Sequence, residues 1–255
     1  MSETVKTIIL AIVQGLTEYL PISSSGHITI FYHLLNLEES ILSLQISLHL
    51  GTSLAVLIFL YRELKGVLTK NNILPIIKMI IIGSIPAGIV GIFFKDFLET
   101  IFSLEGLLPL FFLINSIILI SSYFIQEKNT RMADIKPVKA LLIGIFQALA
   151  ILPGISRSGS TITGGLLLGL KRKEAFLFSL LLSLVAIWGG SLLEIINDSP
   201  VFFQPSIIVG VITSFVCGYF SLWLIKKALD NNYFYVFGIY TLFLAVFLWI
   251  KALFI

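Results

Sequence analysis

The sequence predicts an all-α polytopic membrane protein: six transmembrane helices plus two re-entrant helix-turn-helix segments, arranged as an inverted repeat. Three observations carry this expectation. Of 255 residues, 57% are hydrophobic and 12% charged, with a mean hydropathy of +1.02, whereas soluble domains carry about 25% charged residues. Six long apolar stretches are separated by short charged connections. Two further apolar regions are each broken by a proline and a run of serines.

So much apolar surface cannot be hidden in one soluble core of this length, so a bilayer is the natural solvent. The formal charge of +3 comes from basic residues in short connections, which mark topology, and no nucleic-acid partner is expected. Cys217 is the single cysteine. It excludes an intrachain disulfide and reads as packing. The first apolar stretch, Thr7–Ile22, is not followed by a small-residue cleavage pattern, so no cleavable signal peptide is expected.

The first broken region runs from about residue 5 to 35 and is interrupted by Pro21-Ile22-Ser23-Ser24-Ser25-Gly26. Proline lacks an amide donor and clashes with the preceding turn, so a continuous helix is not expected there. Apolar stretches follow near 48–61, 75–94 and 107–125, the first long enough to span only if it starts near Leu42. The second broken region runs from about 138 to 170 and is interrupted by Pro153-Gly154-Ile155-Ser156-Arg157-Ser158-Gly159. Stretches near 174–193, 206–225 and 233–254 complete the chain.

Orientation follows from Lys and Arg. Arg62, Lys65, Lys70 and Lys78, then Lys128, Arg131, Lys136 and Lys139, then Lys171-Arg172-Lys173 and Lys226-Lys227 mark cytoplasmic connections. The connections near 95–105 and 194–205 are acidic on balance and go outside. These sides are satisfied only if region 5–35 enters from outside and region 138–170 from inside.

An internal repeat agrees with this. At a constant offset of 133, Ile12, Gln14, Leu16, Ile22, Ser23, Ser25 and Gly26 meet Ile145, Gln147, Leu149, Ile155, Ser156, Ser158 and Gly159, seven identities in eighteen positions. The expected halves are about 1–130 and 131–255 of a single membrane domain. Each half has an odd number of crossings, so the second is inverted, a plan that places a site at the interface of the halves. Gly83, Ala87 and Gly91, and Gly165 with Gly169, read as small-residue rows for close helix packing.

Chemistry concentrates at the two breaks: Glu18, Ser23, Ser24, Ser25 and His27 in the first, Ser156, Arg157, Ser158, Ser160, Thr161 and Thr163 in the second. A charge at the bilayer centre costs about 2.5–3.5 kcal/mol on insertion scales unless paired or hydrated. One reading is that Glu18 and Arg157 simply pair and lock the halves together. That leaves the gathered hydroxyls and His27 unaccounted for. The other is an anion site: helix N-termini suit phosphate, serine hydroxyls add donors, and Arg157 adds a planar fork. Gly26 and Gly159 allow a tight turn or close approach to a ligand, though either one alone reads better as helix packing. Gln14 and Glu18 share a helix face, where the carboxylate can orient His27 or a hydroxyl, or help hold a divalent cation. His27 is a candidate general acid/base or nucleophile. His33 and His49 sit in apolar surroundings and read as structural, and Asn115 as an interhelical hydrogen-bonding residue.

The stretch Gln14-Gly15-Leu16-Thr17-Glu18-Tyr19-Leu20-Pro21-Ile22-Ser23-Ser24-Ser25-Gly26-His27 closely resembles the (E/Q)xxxE-LP-x-SS-x-GH signature of bacterial undecaprenyl-diphosphate phosphatases of the bacitracin-resistance type. Pro153-Gly154-Ile155-Ser156-Arg157-Ser158-Gly159-Ser160-Thr161 resembles that family's PGxSRSxxT signature. Gln14 is the permitted alternative to Glu. The resemblance covers essentially the whole chain. It implies hydrolysis of undecaprenyl diphosphate to undecaprenyl phosphate and inorganic phosphate, recycling the carrier for peptidoglycan and giving bacitracin resistance. It also implies a multi-pass protein of the bacterial plasma membrane with its site toward the outer face. By motif, Glu18, Ser24, His27 and Arg157 form the catalytic set. Gln14, Ser23, Ser25, Gly26, Ser156, Ser158 and Thr161 contact the substrate. Family enzymes are stimulated by a divalent cation, so magnesium or calcium is expected and no organic cofactor. The partners expected are a polyprenyl diphosphate and membrane lipids. Monomer and homodimer both stay open. A transporter or flippase for an anionic polyprenyl lipid is the alternative that an inverted repeat equally suits.

Overall fold

The computed structural model describes residues 2–35, 41–65, 67–197 and 205–254. Among the described residues the α-helices are α1 Glu3–Tyr19, α2 Ser24–Leu34, α3 Ile41–Glu63, α4 Ile73–Phe93, α5 Lys95–Ser103, α6 Leu108–Ser121, α7 Pro137–Leu149, α8 Arg157–Leu167, α9 Arg172–Asn197, α10 Pro205–Asp230 and α11 Val236–Phe254. The two breaks fall at residues 20–23 and 150–156, as the prolines require.

Five helices, α3, α4, α9, α10 and α11, are long and apolar enough to cross a membrane. The expected sixth stretch, 107–125, is the shorter α6, continued to Phe124 by a 3-10 turn. Helix α3 starts at Ile41, which supplies the length its apolar run lacked. The acidic connection 95–105 contains the short α5, and 198–204 of the other acidic connection lie outside the described residues.

The outer surface is apolar. Ile77, Ile81, Ile85 and Ile89 repeat every four residues along α4 and are all exposed, as are Phe243, Phe247 and Ile250 on α11. A face this large and continuous needs lipid or protein against it. The chain is a multi-pass membrane protein.

Close helix contacts are made by small residues, because apolar tails give helices no reason to associate except packing. On α1, a Cβ at Gly15 would meet Cys217 Cβ at 2.5 Å and the Ser214 carbonyl at 2.8 Å, both on α10. On α7, a Cβ at Gly144 would collide with the Gly83 carbonyl of α4. At the offset of 133, α1 corresponds to α7 and α4 to α10, so the first helix of each expected half packs on the fourth helix of the other. The Gly83 row is therefore only partly used: a Cβ at Gly91 would meet nothing within 4 Å. Gly169 does not pack helices either. It ends α8 at φ +100°, a turn that a side chain would strain.

The basic connections meet at one end. Glu63 at the end of α3 pairs with Lys226 of α10 and lies 3.8 Å from Lys173 of α9. Arg172 lies 3.8 Å from Glu127, and Arg62 donates to the Tyr219 hydroxyl at 2.8 Å.

Candidate active site

The two breaks are joined directly. The amide of Gly154 donates to Ser23 Oγ at 3.0 Å. Asn115 of α6 spans both turns: its Nδ2 donates to the Pro21 carbonyl at 3.0 Å, and its Oδ1 accepts from the Ser156 amide at 2.9 Å. Gly26 and Gly159 make this contact possible. A Cβ on Gly26 would lie 2.6 Å from Phe112 and 3.1 Å from Gly154 Cα, and one on Gly159 3.2 Å from Pro21. Their role here is packing of turn on turn.

The same local design recurs in both turns. Ser156 caps α8, its Oγ accepting from the Gly159 amide at 3.1 Å and sharing a hydrogen bond of 3.0 Å with Ser158 Oγ. Ser23 Oγ accepts from the Gly26 amide at 3.3 Å and shares one of 3.2 Å with Ser25 Oγ. Capping serines satisfy one of the free amides at each helix start and leave others facing the turn. Ser23 has φ 69°, a left-handed conformation that costs a non-glycine residue roughly 1–2 kcal/mol. Its double acceptor role offsets that cost.

Glu18 is the centre of the cluster. Its side chain is 2% exposed. Oε2 accepts from Gln14 Nε2 and from the Ser24 hydroxyl, each at 2.8 Å, and Oε1 is ion-paired to Arg157 of the other turn. His49 Nε2 of α3 lies 3.5 Å from Oε2. Two buried atoms here, Gln14 Oε1 and Arg157 Nε, have no hydrogen-bond partner among the described residues. Buried polar atoms are ordinarily satisfied, so a free acceptor and a free guanidinium donor beside a hydroxyl mark a place for a polar ligand.

His27 is buried but is not oriented by Glu18. Its Nδ1 faces the Ser23 carbonyl at 2.8 Å, and because a carbonyl only accepts, Nδ1 donates. In the neutral ring Nε2 then accepts from the Tyr240 hydroxyl of α11, also at 2.8 Å. Phe112 stands edge-on to the ring and Tyr240 stacks beside it. Of the three roles that sequence offered the carboxylate, orienting His27, orienting a hydroxyl and helping to hold a cation, the contact in the structure is with the Ser24 hydroxyl.

Most of the sequence-derived set is brought together: Gln14, Glu18, Ser24 and Arg157 touch in one cluster, and Ser23, Ser25, Gly26, Ser156 and Ser158 build the turns beneath it. Thr161 is turned away. Its Oγ1 bonds the Arg157 carbonyl at 2.7 Å and Ser179 Oγ of α9 at 2.6 Å, so it ties α8 to α9. Asn115 bridges the turns, which is more specific than its expected interhelical role. His49, read as structural, lies instead beside Glu18, and Tyr240 was not singled out at all. The side chain of His33 lies outside the described residues.

Among the described residues, no three His, Cys, Asp or Glu side chains gather as a metal site. A hard cation takes oxygen ligands, and magnesium is commonly held by one or two carboxylates plus substrate phosphates. The free Gln14 Oε1 fits that sparse arrangement, while both Glu18 oxygens already have partners, so these residues form no all-protein cage.

The family model described as bacitracin resistance protein BacA matches residues 7–247. Curated relatives named undecaprenyl-diphosphatase include one from Thermosipho melanesiensis, 42% identical over 94% of this chain and 96% of the relative. Others are from Methanococcus maripaludis, 39% identical over 91% and 94%, and Halothermothrix orenii, 36% identical over 93% and 94%. With alignments that run nearly from end to end, the chain belongs to the bacitracin resistance protein BacA family.

Proposed function

We propose that this chain hydrolyses undecaprenyl diphosphate to undecaprenyl phosphate and inorganic phosphate, recycling the lipid carrier for peptidoglycan synthesis and giving bacitracin resistance. Its family and the names of its relatives support the reaction. The observation that carries the site is the buried Glu18, which accepts the Ser24 hydroxyl while paired to Arg157 of the opposite turn.

In the proposed mechanism the diphosphate lies between the two turns. Arg157 grips phosphate oxygens through the fork edge whose Nε is free, and the amides starting α2 and α8 add partial positive charge. Ser24 Oγ attacks the terminal phosphorus in line as Glu18 takes its proton. The bond to the bridging oxygen breaks and undecaprenyl phosphate leaves. Water then releases phosphate from Ser24, with His27 exchanging protons at Nε2 once Tyr240 yields its place. Arg157 and the turn hydroxyls stabilise charge on the transferring group. Magnesium or calcium, carried in on the diphosphate with Gln14 Oε1 as the free protein acceptor, would neutralise charge on the phosphate oxygens.

The topology proposed is six spans, α6 being the short one, with α1–α2 and α7–α8 re-entering from opposite sides in an inverted repeat of halves about 1–130 and 131–255. The reciprocal packing of α1 on α10 and α7 on α4 supports it. The site is proposed to face outward in the bacterial plasma membrane. His49 lies fourteen residues along α3 from Glu63 and the basic end, about 21 Å at 1.5 Å per residue, so the cluster is far from the proposed cytoplasmic side. The same reciprocal packing would suit a lipid carrier. Phosphate release from a polyprenyl diphosphate in detergent, where no compartments exist, decides: release supports the phosphatase, and binding without release supports the carrier.

A further inference from the structure

We infer that His49 is a positioning residue for Glu18, a further donor beside Gln14 that holds the carboxylate on Ser24 when Arg157 shares its fork with the phosphate. This rests on the phosphatase reading of the site. In the structure Oε1 of Glu18 pairs with Arg157, while Oε2 accepts from Ser24 and Gln14. The guanidinium that holds Glu18 through one nitrogen also offers its free Nε to a diphosphate, so phosphate binding draws the fork's charge away from the carboxylate and loosens that pair. A buried carboxylate that loses such a partner needs another, or it swings away from Ser24.

His49 is the group placed to act. Its Nε2 lies 3.5 Å from Oε2, long for a hydrogen bond, and catalytic contacts of this kind tighten when the substrate complex forms. The rest of α3 is built to keep it there. Tyr19, the neighbour of Glu18, donates its buried hydroxyl to the Thr52 carbonyl at 2.8 Å, which fixes the register of α1 against α3 within a turn of His49. Gly51 lies so close to α10 that a Cβ would collide with Ser214 Oγ and the Val211 carbonyl. Helix α3 therefore cannot slide, and the His49 side chain, 22% exposed, needs only a small rotation to close the gap.

The test compares His49→Leu, His49→Gln and wild type in detergent by steady-state phosphate release. Leucine fills much of the same volume without a donor, whereas the glutamine amide restores one. The expected result for His49→Leu is a fall in kcat on the order of 10²-fold, the cost of a misplaced catalytic group, with KM little changed. His49→Gln recovers most of that loss. Wild-type kcat in His49→Leu, or a His49→Gln variant as slow as His49→Leu, overturns the role. A wild type that releases no phosphate counts against the phosphatase reading instead. The contact is then read without turnover from the Glu18 carboxylate infrared band, isolated by difference against Glu18→Gln, with a diphosphate analogue bound. The band shifts in His49→Leu and returns in His49→Gln, and an unshifted band overturns the inference whatever the activity.

Discussion

Glu18 and Arg157, 139 residues apart in the chain, form an ion pair in which the carboxylate is 2% and the guanidinium 19% exposed. The pair joins the end of α1 to the start of α8, and therefore one broken region to the other. Removing one member of a buried pair leaves an uncompensated charge, whereas removing both together is far cheaper.

Arg157→Met is expected to lose about 3–5 kcal/mol of stability, the usual cost of stranding a buried charge, with the protein still inserted. Glu18→Gln combined with Arg157→Met regains most of it. Both variants lack phosphatase activity. Thermal unfolding in detergent, run beside the activity assay, checks the contrast. Equal melting temperatures for the single and double variants would mean that the charges do not depend on each other.

At Ser23 the expectation is an inversion of the usual order. Ser23→Ala keeps the strained φ of 69° and loses the acceptor for the Gly154 and Gly26 amides. Ser23→Gly also loses the acceptor but relieves roughly 1–2 kcal/mol of backbone strain. The glycine variant should therefore melt higher than the alanine variant.

Asn115→Leu strands the Pro21 carbonyl and the Ser156 amide. Each buried unsatisfied group costs about 1–3 kcal/mol, and the turns lose their shared bridge. A lower melting temperature and a lower kcat are expected together, since the bridge sets the spacing between Ser24 and Arg157.

Rapid quench of the wild type with a substrate labelled at the terminal phosphate should trap label on the protein, and Ser24→Ala should trap none. Label surviving that substitution would move the nucleophile away from Ser24.

The sequence made the breaks, the positions of the long helices and the Glu18–Ser24–Arg157 cluster legible for one reason. Prolines, charges and runs of hydroxyls are costly in apolar segments, so each stands out against its surroundings. His49 and Tyr240 carried no such contrast. Histidine within a helix-length run is a mild interruption, and a tyrosine is unremarked where 13% of residues are aromatic. Only the tertiary contact of α3 with α1, pinned by Tyr19 on Thr52, shows that His49 faces Glu18. The partner of His27 was hidden for a similar reason. Separation along the chain cannot show that the strained Ser23 turns its carbonyl toward the ring and takes the role offered to Glu18. The small-residue rows held in part, because composition shows where helices can approach, whereas the crossing point decides which glycine is used: Gly83 and Gly165 are, and Gly91 is not.

In the proposed phosphatase site, charge and hydroxyl from two turns act on one phosphate. The most direct test is the initial rate of phosphate release from a polyprenyl diphosphate by purified protein in detergent, for wild type, Glu18→Gln and Arg157→Ala. Release by wild type and near-complete loss in both variants, each still folded by size-exclusion chromatography, is the predicted result. Wild-type rates in either variant would contradict the account.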